Sequence, residues 1–232
     1  MSSHLAVVDL GRADYGEALE LQRRTAHARI DRVIGSDLLL LAEHDPVITL
    51  GRSFHAENLL RTPEQLESLG VPIFEVERGG DVTYHGPGQL VGYPIYNLTE
   101  HEPDLHHFLR QIEQCLIDTL GAFGVTGRRR EDLTGVWVAS RKIASIGIHV
   151  KKWVTWHGFA LNVATDLASF DLMVPCGIDD VVMTTMQREL AERTPHDLWE
   201  RASDGVVEAF STVFGQTPLT MALDDLRKTV GM

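Results

Sequence analysis

The amino-acid sequence predicts an α+β fold in a single domain, with helices packed on a mixed or antiparallel sheet. Three observations predict it. Runs of β-branched and aromatic residues fall in strand-length segments. Two long stretches carry apolar residues at helical spacing, set apart from those runs, which is the α+β pattern. The 232 residues also contain no internal repeat, low-complexity tract or Pro/Ser-rich linker, and a chain of this length can bury one core.

The elements follow in order. Residues 14 to about 32 read as a helix: Leu19, Thr25 and Ala26 alternate with Glu, Gln and Arg, and Asp14 is placed to cap it. Residues 37–41 and 47–50 read as strands joined by the turn-prone Glu43-His44-Asp45-Pro46. Residues 71–76 and 90–95 give two more short strands. The clearest helix spans residues 104–123, where Leu105, Phe108, Leu109, Ile112, Leu116 and Leu120 form one stripe and Gly124 can end it. Residues 136–138, 143–150 and 153–163 read as strands of one antiparallel set. Helices are expected over residues 195–232, the first turning Leu198, Ala202, Val206, Ala209, Phe210 and Val213 inward over residues 195–214.

Charge and composition narrow the function. Lys plus Arg total 21 and Asp plus Glu total 33, a formal charge of −12. Such a surface argues against nucleic acid or an anionic membrane as partner. No window approaches 18 uninterrupted apolar residues, so no membrane span is expected. The N-terminus has no basic stretch followed by a long apolar run. The expected location is a reducing cytoplasm. The two cysteines cannot build a disulfide framework or a four-cysteine zinc site, and no metal is expected. The phosphate-loop, dinucleotide-fold, zincin, nucleophile-elbow and CxxC signatures are missing.

Four stretches carry candidate chemistry. In Arg78-Gly79-Gly80-Asp81-Val82-Thr83-Tyr84-His85-Gly86-Pro87-Gly88-Gln89-Leu90, glycines let the backbone approach a ligand, while a plain turn needs no Arg, Thr, Tyr or His. Pro175-Cys176-Gly177-Ile178 puts a cysteine on a rigid turn, where a thiolate is accessible; a structural role for this residue is the alternative. Cys115, inside the amphipathic helix, reads as core filling. Lys142 opens an alternating strand. It is either a solvated strand end or an ammonium that favours a nearby thiolate. His157-Gly158 in a strand marks close packing against the backbone, with His157 either catalytic or a satisfied semi-buried histidine.

Taken together, RGGDVTYHGPGQLVGYP (residues 78–94), GVWV (135–138), RKIASIGI (141–148), HGFALNV (157–163) and PCGI (175–178) resemble the lipoyl(octanoyl) transferase family. The resemblance runs over residues 38–186. It implies a fold like the catalytic domains of lipoate- and biotin-protein ligases, a cytoplasmic acyltransferase, and no ATP or metal cofactor. It implies octanoyl-acyl-carrier protein as donor. The implied acceptors are lysines on lipoyl domains of 2-oxoacid dehydrogenases and on the glycine cleavage H protein. The family's nucleophile falls on Cys176 and its paired lysine on Lys142. Its acyl-binding positions fall on Arg78, Gly79, Gly80, Asp81, Val82, Thr83, Tyr84 and His85, on Ser145, Ile146 and Gly147, and on Gly158, Phe159 and Ala160. His157 and Gly177 are possible supports, with the Gly177 or Ile178 N–H, or a donor at 145–147, available for an oxyanion. The polar Glu43-His44-Asp45-Pro46 turn departs mildly from expectation.

Three rival readings stand beside this one: an ATP-dependent ligase, a thiol amidase using His85 or His157, and a non-catalytic acyl-binding module. Arg128-Arg129-Arg130 and Arg141 with Lys151-Lys152 are the basic clusters available to dock an acidic partner.

Overall fold

The computed structural model describes residues 3–178 and 181–232. Strand β1 (His4–Ala13) leads into helix α1 (Tyr15–Ile30), capped by the Asp14 carboxylate on the Glu17 N–H, and then into β2 (Asp37–His44). A second, three-stranded sheet follows, ordered β4-β3-β5. It is built from β3 (Val47–Leu50), β4 (Ile73–Glu75) and β5 (Val82–His85), with the short α2 (Pro63–Ser68) between the first two. β6 (Gln89–Ile95) returns to the large sheet, and α3 (Leu105–Ala122) crosses it. A meander of β7 (Arg128–Arg130), β8 (Leu133–Val138), β9 (Arg141–Lys151) and β10 (Val154–Asn162) builds one side of it, out to the edge at β7. The chain ends with β11 (Val182–Met183), α4 (Met186–Leu190), α5 (Leu198–Phe214), β12 (Thr217–Thr220) and α6 (Leu223–Val230).

The large sheet runs β12-β1-β2-β6-β10-β9-β8-β7, with β11 paired to β9. It is mixed. β12-β1-β2 and β11-β9 are parallel, and the other pairs are antiparallel. Both faces are covered, which explains why β2 reads as four consecutive leucines rather than an alternation. Leu38 and Leu40 join a cluster with Leu21 and Ala26 of α1, while Leu39 and Leu41 join Phe108, Ile112, Val206 and Phe210 of α3 and α5. Among the described residues no helix is long and apolar enough to cross a membrane.

The α+β class, the three-strand antiparallel set and the helices on residues 104–123 and 195–214 match the sequence reading within a few residues. Four particulars differ. β1 was not anticipated, because its parallel pairing with β2 and β12 is non-local. β12 interrupts the helices expected over residues 195–232. β2 and β3 do not belong to one sheet: the Glu43–Pro46 turn passes the chain between sheets. Its polar residues have work there, since the Glu43 carboxylate accepts the Gly88 N–H at 2.6 Å and His44 bonds the Tyr93 hydroxyl at 2.6 Å. Finally, Val82–His85 inside the glycine-rich stretch is a strand rather than loop.

Candidate active site

Lys142 comes to the site through a fault in the sheet. β8 pairs Val136 with Ala144 but Trp137 with Lys142, so β9 carries one extra residue there. Such a bulge re-aims side chains. Ile143 and Ala144 both turn to the core under α3, while Lys142 and Ser145 both line a cavity on the other side. Lys142 is 2% exposed, an unusual place for an ammonium without a charged partner. Among the described residues no carboxylate pairs with it.

Its partner is sulfur. Lys142 Nζ donates to Cys176 Sγ at 3.1 Å, and the Ser145 hydroxyl lies 3.6 Å from the same sulfur. Cys176 sits in a single 3-10 turn at φ 59°, ψ 17°, a left-handed conformation that costs a non-glycine residue about 1–2 kcal/mol. The turn is braced. Gly177 N–H donates to Val174 O at 3.0 Å, Ile178 N–H to Pro175 O at 3.2 Å, and Val174 N–H to Asn58 O at 2.8 Å. Gly177 is required: a Cβ there would stand 2.7 Å from Asp81 Oδ2. Burial opposes ionisation of the Cys176 thiol. The Lys142 charge, the Ser145 and Lys142 hydrogen bonds and the Arg78 charge outweigh it, so the thiol titrates below its ordinary value.

The glycine-rich segment forms the facing wall. Gly79 N–H donates to Ile148 O at 3.0 Å, so this segment crosses β9 at Gly147, where a Cβ would meet Gly79 O at 2.7 Å. Arg78 is buried, with Nε and Nη2 on Thr49 Oγ1 at 3.1 and 2.8 Å and Nη2 on Thr49 O at 2.6 Å. Burial lowers its pKa. Asp81 holds the segment's far side. Its carboxylate accepts from Asn58 Nδ2 at 2.8 Å, His55 Nδ1 at 3.0 Å and Val82 N–H at 2.7 Å. Burial raises that carboxyl's pKa, but these bonds win and hold it below the usual range.

The cavity between the walls measures about 390 Å³. It is lined by Cys176, Lys142, Arg78, Gly79, Gly80, Asp81, Thr83, His85, Ser145, Ile146, Gly147, His157, Gly158, Phe159 and Ala160. Most residues singled out in the sequence therefore meet here. Three do not line it. β5 alternates, so Thr83 and His85 face the cavity while Val82 and Tyr84 point into a separate core, Tyr84 edge-on to Phe170 at 5.7 Å. Gly177 packs against Asp81 instead.

Other expectations also change. The Gly177 and Ile178 N–H groups are committed to the turn, so they are not free oxyanion donors. His85 bonds Gln89 at 2.8 Å, and burial pushes its pKa down to about 3. Burial lowers the pKa of His157 too, and its Nε2 stands 3.5 Å from Glu77. Among the described residues the side chains that bond the Cys176 sulfur are Lys142 and Ser145, not either histidine. Of the basic clusters, Arg129 is tied to Glu113 and Gln114, and Arg141 pairs with Glu189 at 2.8 Å.

The sequence reading missed Tyr15, Tyr93, Leu105, Leu109 and Leu133, which also line the cavity. Tyr93 lay inside a recognised motif. Leu105 and Leu109 looked like ordinary helix stripe, and Tyr15 carried no local signal.

A thiol activated by a buried amine, at the wall of a cavity, is equipped to take up and pass on an acyl group. Comparison with known proteins agrees. The family model for the lipoyl protein ligase A/B catalytic domain matches residues 14–210. An octanoyltransferase of Acidobacterium capsulatum is 45% identical over 228 residues, covering 93% of this chain and 92% of the relative. The chain belongs to this family. An octanoyltransferase of Solibacter usitatus is 55% identical over 169 residues, 73% of this chain and 76% of the relative. Within the lipoyl protein ligase A/B family, then, the chain falls among the octanoyltransferases and is an acyltransferase. A crystal structure of lipoate-protein ligase A bound with ATP superposes with a TM-score of 0.78, covering 99% of this chain and 92% of that one. At 14% identity that likeness speaks for the fold alone.

Proposed function

We propose that this enzyme moves an octanoyl group from octanoyl-acyl-carrier protein to the ε-amine of a lysine on lipoyl domains, through a thioester on Cys176. The observation that carries the reading is the 3.1 Å contact between Lys142 Nζ and Cys176 Sγ at the cavity wall.

The chemistry balances on these two residues. The Cys176 thiolate attacks the donor's thioester carbonyl. The tetrahedral oxyanion takes hydrogen bonds from Lys142 or Ser145, the donors nearest the sulfur. The carrier's thiolate leaves and takes a proton from Lys142, which becomes neutral. The acceptor amine then attacks the new thioester and gives its proton back to Lys142, and Cys176 leaves as thiolate. Each step exchanges one acyl bond for another, and the donor arrives already activated, so the route consumes no nucleotide and calls on no metal.

Octanoyl fits by burial. Six methylenes at about 0.8 kcal/mol each supply roughly 5 kcal/mol, enough to separate long from short acyl groups. Acceptors are lipoyl domains of 2-oxoacid dehydrogenases and of the glycine cleavage H protein, met in the cytoplasm. The test is one incubation without ATP. Enzyme, octanoyl-acyl-carrier protein and an apo lipoyl domain are mixed and weighed by intact-mass spectrometry. The expected products are octanoylated domain and, with donor alone, an octanoyl adduct on Cys176. Transfer that requires ATP, or transfer without any adduct, overturns the reading.

A further inference from the structure

We infer that Trp137 is a positioning residue for the reaction: its indole face holds the Lys142 ammonium against the Cys176 sulfur. The inference rests on the Lys142–Cys176 reading above and adds to it what keeps a buried cation in place.

An ammonium taken out of water needs compensation. Lys142 has no carboxylate among the described residues, and one thiol does not replace three hydrogen bonds to water. What lies against it is an aromatic ring. Lys142 Nζ stands 5.2 Å from the Trp137 ring centroid, inside the range where a cation is drawn to the π face. The two residues are cross-strand partners at the bulge, so the same irregularity that turns Lys142 into the cavity lays it beside the ring. Trp137 is fully buried. Among the described residues nothing accepts from its indole N–H, so its place is set by packing and a phenyl ring would forfeit no hydrogen bond.

Gly135 packs against the lysine stem and the ring edge together. A Cβ on Gly135, at φ +136°, would stand 2.9 Å from Lys142 Cε and 3.3 Å from the indole. The Gly135 N–H is in turn held at 3.0 Å by Glu113, a fully buried carboxylate that also takes Arg110 at 2.7 Å and Arg129 at 3.1 Å. Lys142 thus lies against the ring and the Gly135 backbone, with its head on the Cys176 sulfur. The other charges acting here are Arg130, whose Cζ is 5.5 Å from the same ring, and Arg78, whose charge reaches the thiol. Neither holds the lysine.

The closing experiment has two arms. The chain has four lysines, Lys142, Lys151, Lys152 and Lys228, so carbon-13 lysine labelling gives four ε-CH₂ signals, with Lys142→Ala identifying the one of interest. In the unaltered protein that signal is expected to be displaced by the indole ring current from the other three; coincidence with them overturns the inference. In the second arm the rate of Cys176 alkylation is read against pH in folded Trp137→Leu and Trp137→Phe. The leucine variant is expected to move the midpoint up by about half a pH unit or more and to lower kcat about tenfold with KM for the donor unchanged. Phenylalanine is expected to fall between leucine and wild type. A wild-type alkylation profile in the leucine variant overturns the inference, and the ring-current arm decides it if that variant does not fold. Lys142→Ala separates the two claims. A shifted profile there with none in Trp137→Leu sinks only the role of the indole, while no shift in either sinks the dyad reading as well.

Discussion

Cys115 and Cys176 are the same side chain in opposite surroundings. Cys115 lies on α3 among Ile112, Leu116 and Leu120, with no exposure, and burial pushes its thiol well above the ordinary value. Cys176 is only half-buried, and its thiol titrates low because Lys142, Ser145 and Arg78 converge on it against the cost of burial. Burial by itself makes a cysteine inert. A cation 3.1 Å away favours the thiolate, the form that attacks.

Substitution tests this contrast most severely at Cys176. Cys176→Ser is expected to lower transfer by on the order of a thousandfold or more, since a serine hydroxyl is not ionised by the same neighbours; initial rates of lipoyl-domain octanoylation measure it. Residual activity within tenfold of wild type would mean the sulfur is not the acyl carrier.

Next in size is Lys142→Ala. Loss of proton transfer should lower kcat by about 10²–10⁴. Removing the charge should also move the Cys176 alkylation midpoint to higher pH. The sign follows from the thiol's depressed pKa: thiolate persists to lower pH in the wild type than in the variant, so the curves separate on the acidic side.

Alkylation selectivity sharpens the same comparison without a mutation. Iodoacetamide at neutral pH should label Cys176 quickly and leave Cys115 unlabelled until the protein unfolds, as peptide mapping will read. Equal labelling of both in the folded state would contradict their assigned environments.

The smallest effect is expected at the inert site. Cys115→Ser buries a hydroxyl among apolar side chains at a cost of about 1–3 kcal/mol. At about 2–4 °C per kcal/mol for a chain of this size, the melting temperature should fall by several degrees, with kcat unchanged.

Much of the site was legible because the reaction's demands are local. Glycines at 79 and 147 must let two backbones cross, and a cysteine between proline and glycine must sit on a turn. These needs leave marks in short motifs. Val82 and Tyr84 were misplaced because motif membership does not say which face of a strand a residue takes; the pleat of β5 decided that. Tyr15 and Leu109 escaped because a lining residue on a helix has the same pattern as a core residue. The free oxyanion donors expected at 177 and 178 were lost to the turn's own hydrogen bonds, which no composition reveals.

The amino-acid chain alone determined the α+β class, the amphipathic α3, the antiparallel β8-β9-β10 set and the kinds of side chain available for chemistry, since these depend on periodicity and residue type within short windows. Only the tertiary structure decided that residues 34 positions apart touch, that a one-residue bulge turns Lys142 toward the cavity, and which thiol lies beside a cation. Reactivity arises from charges meeting across strands, and distance in space is not written in distance along the chain.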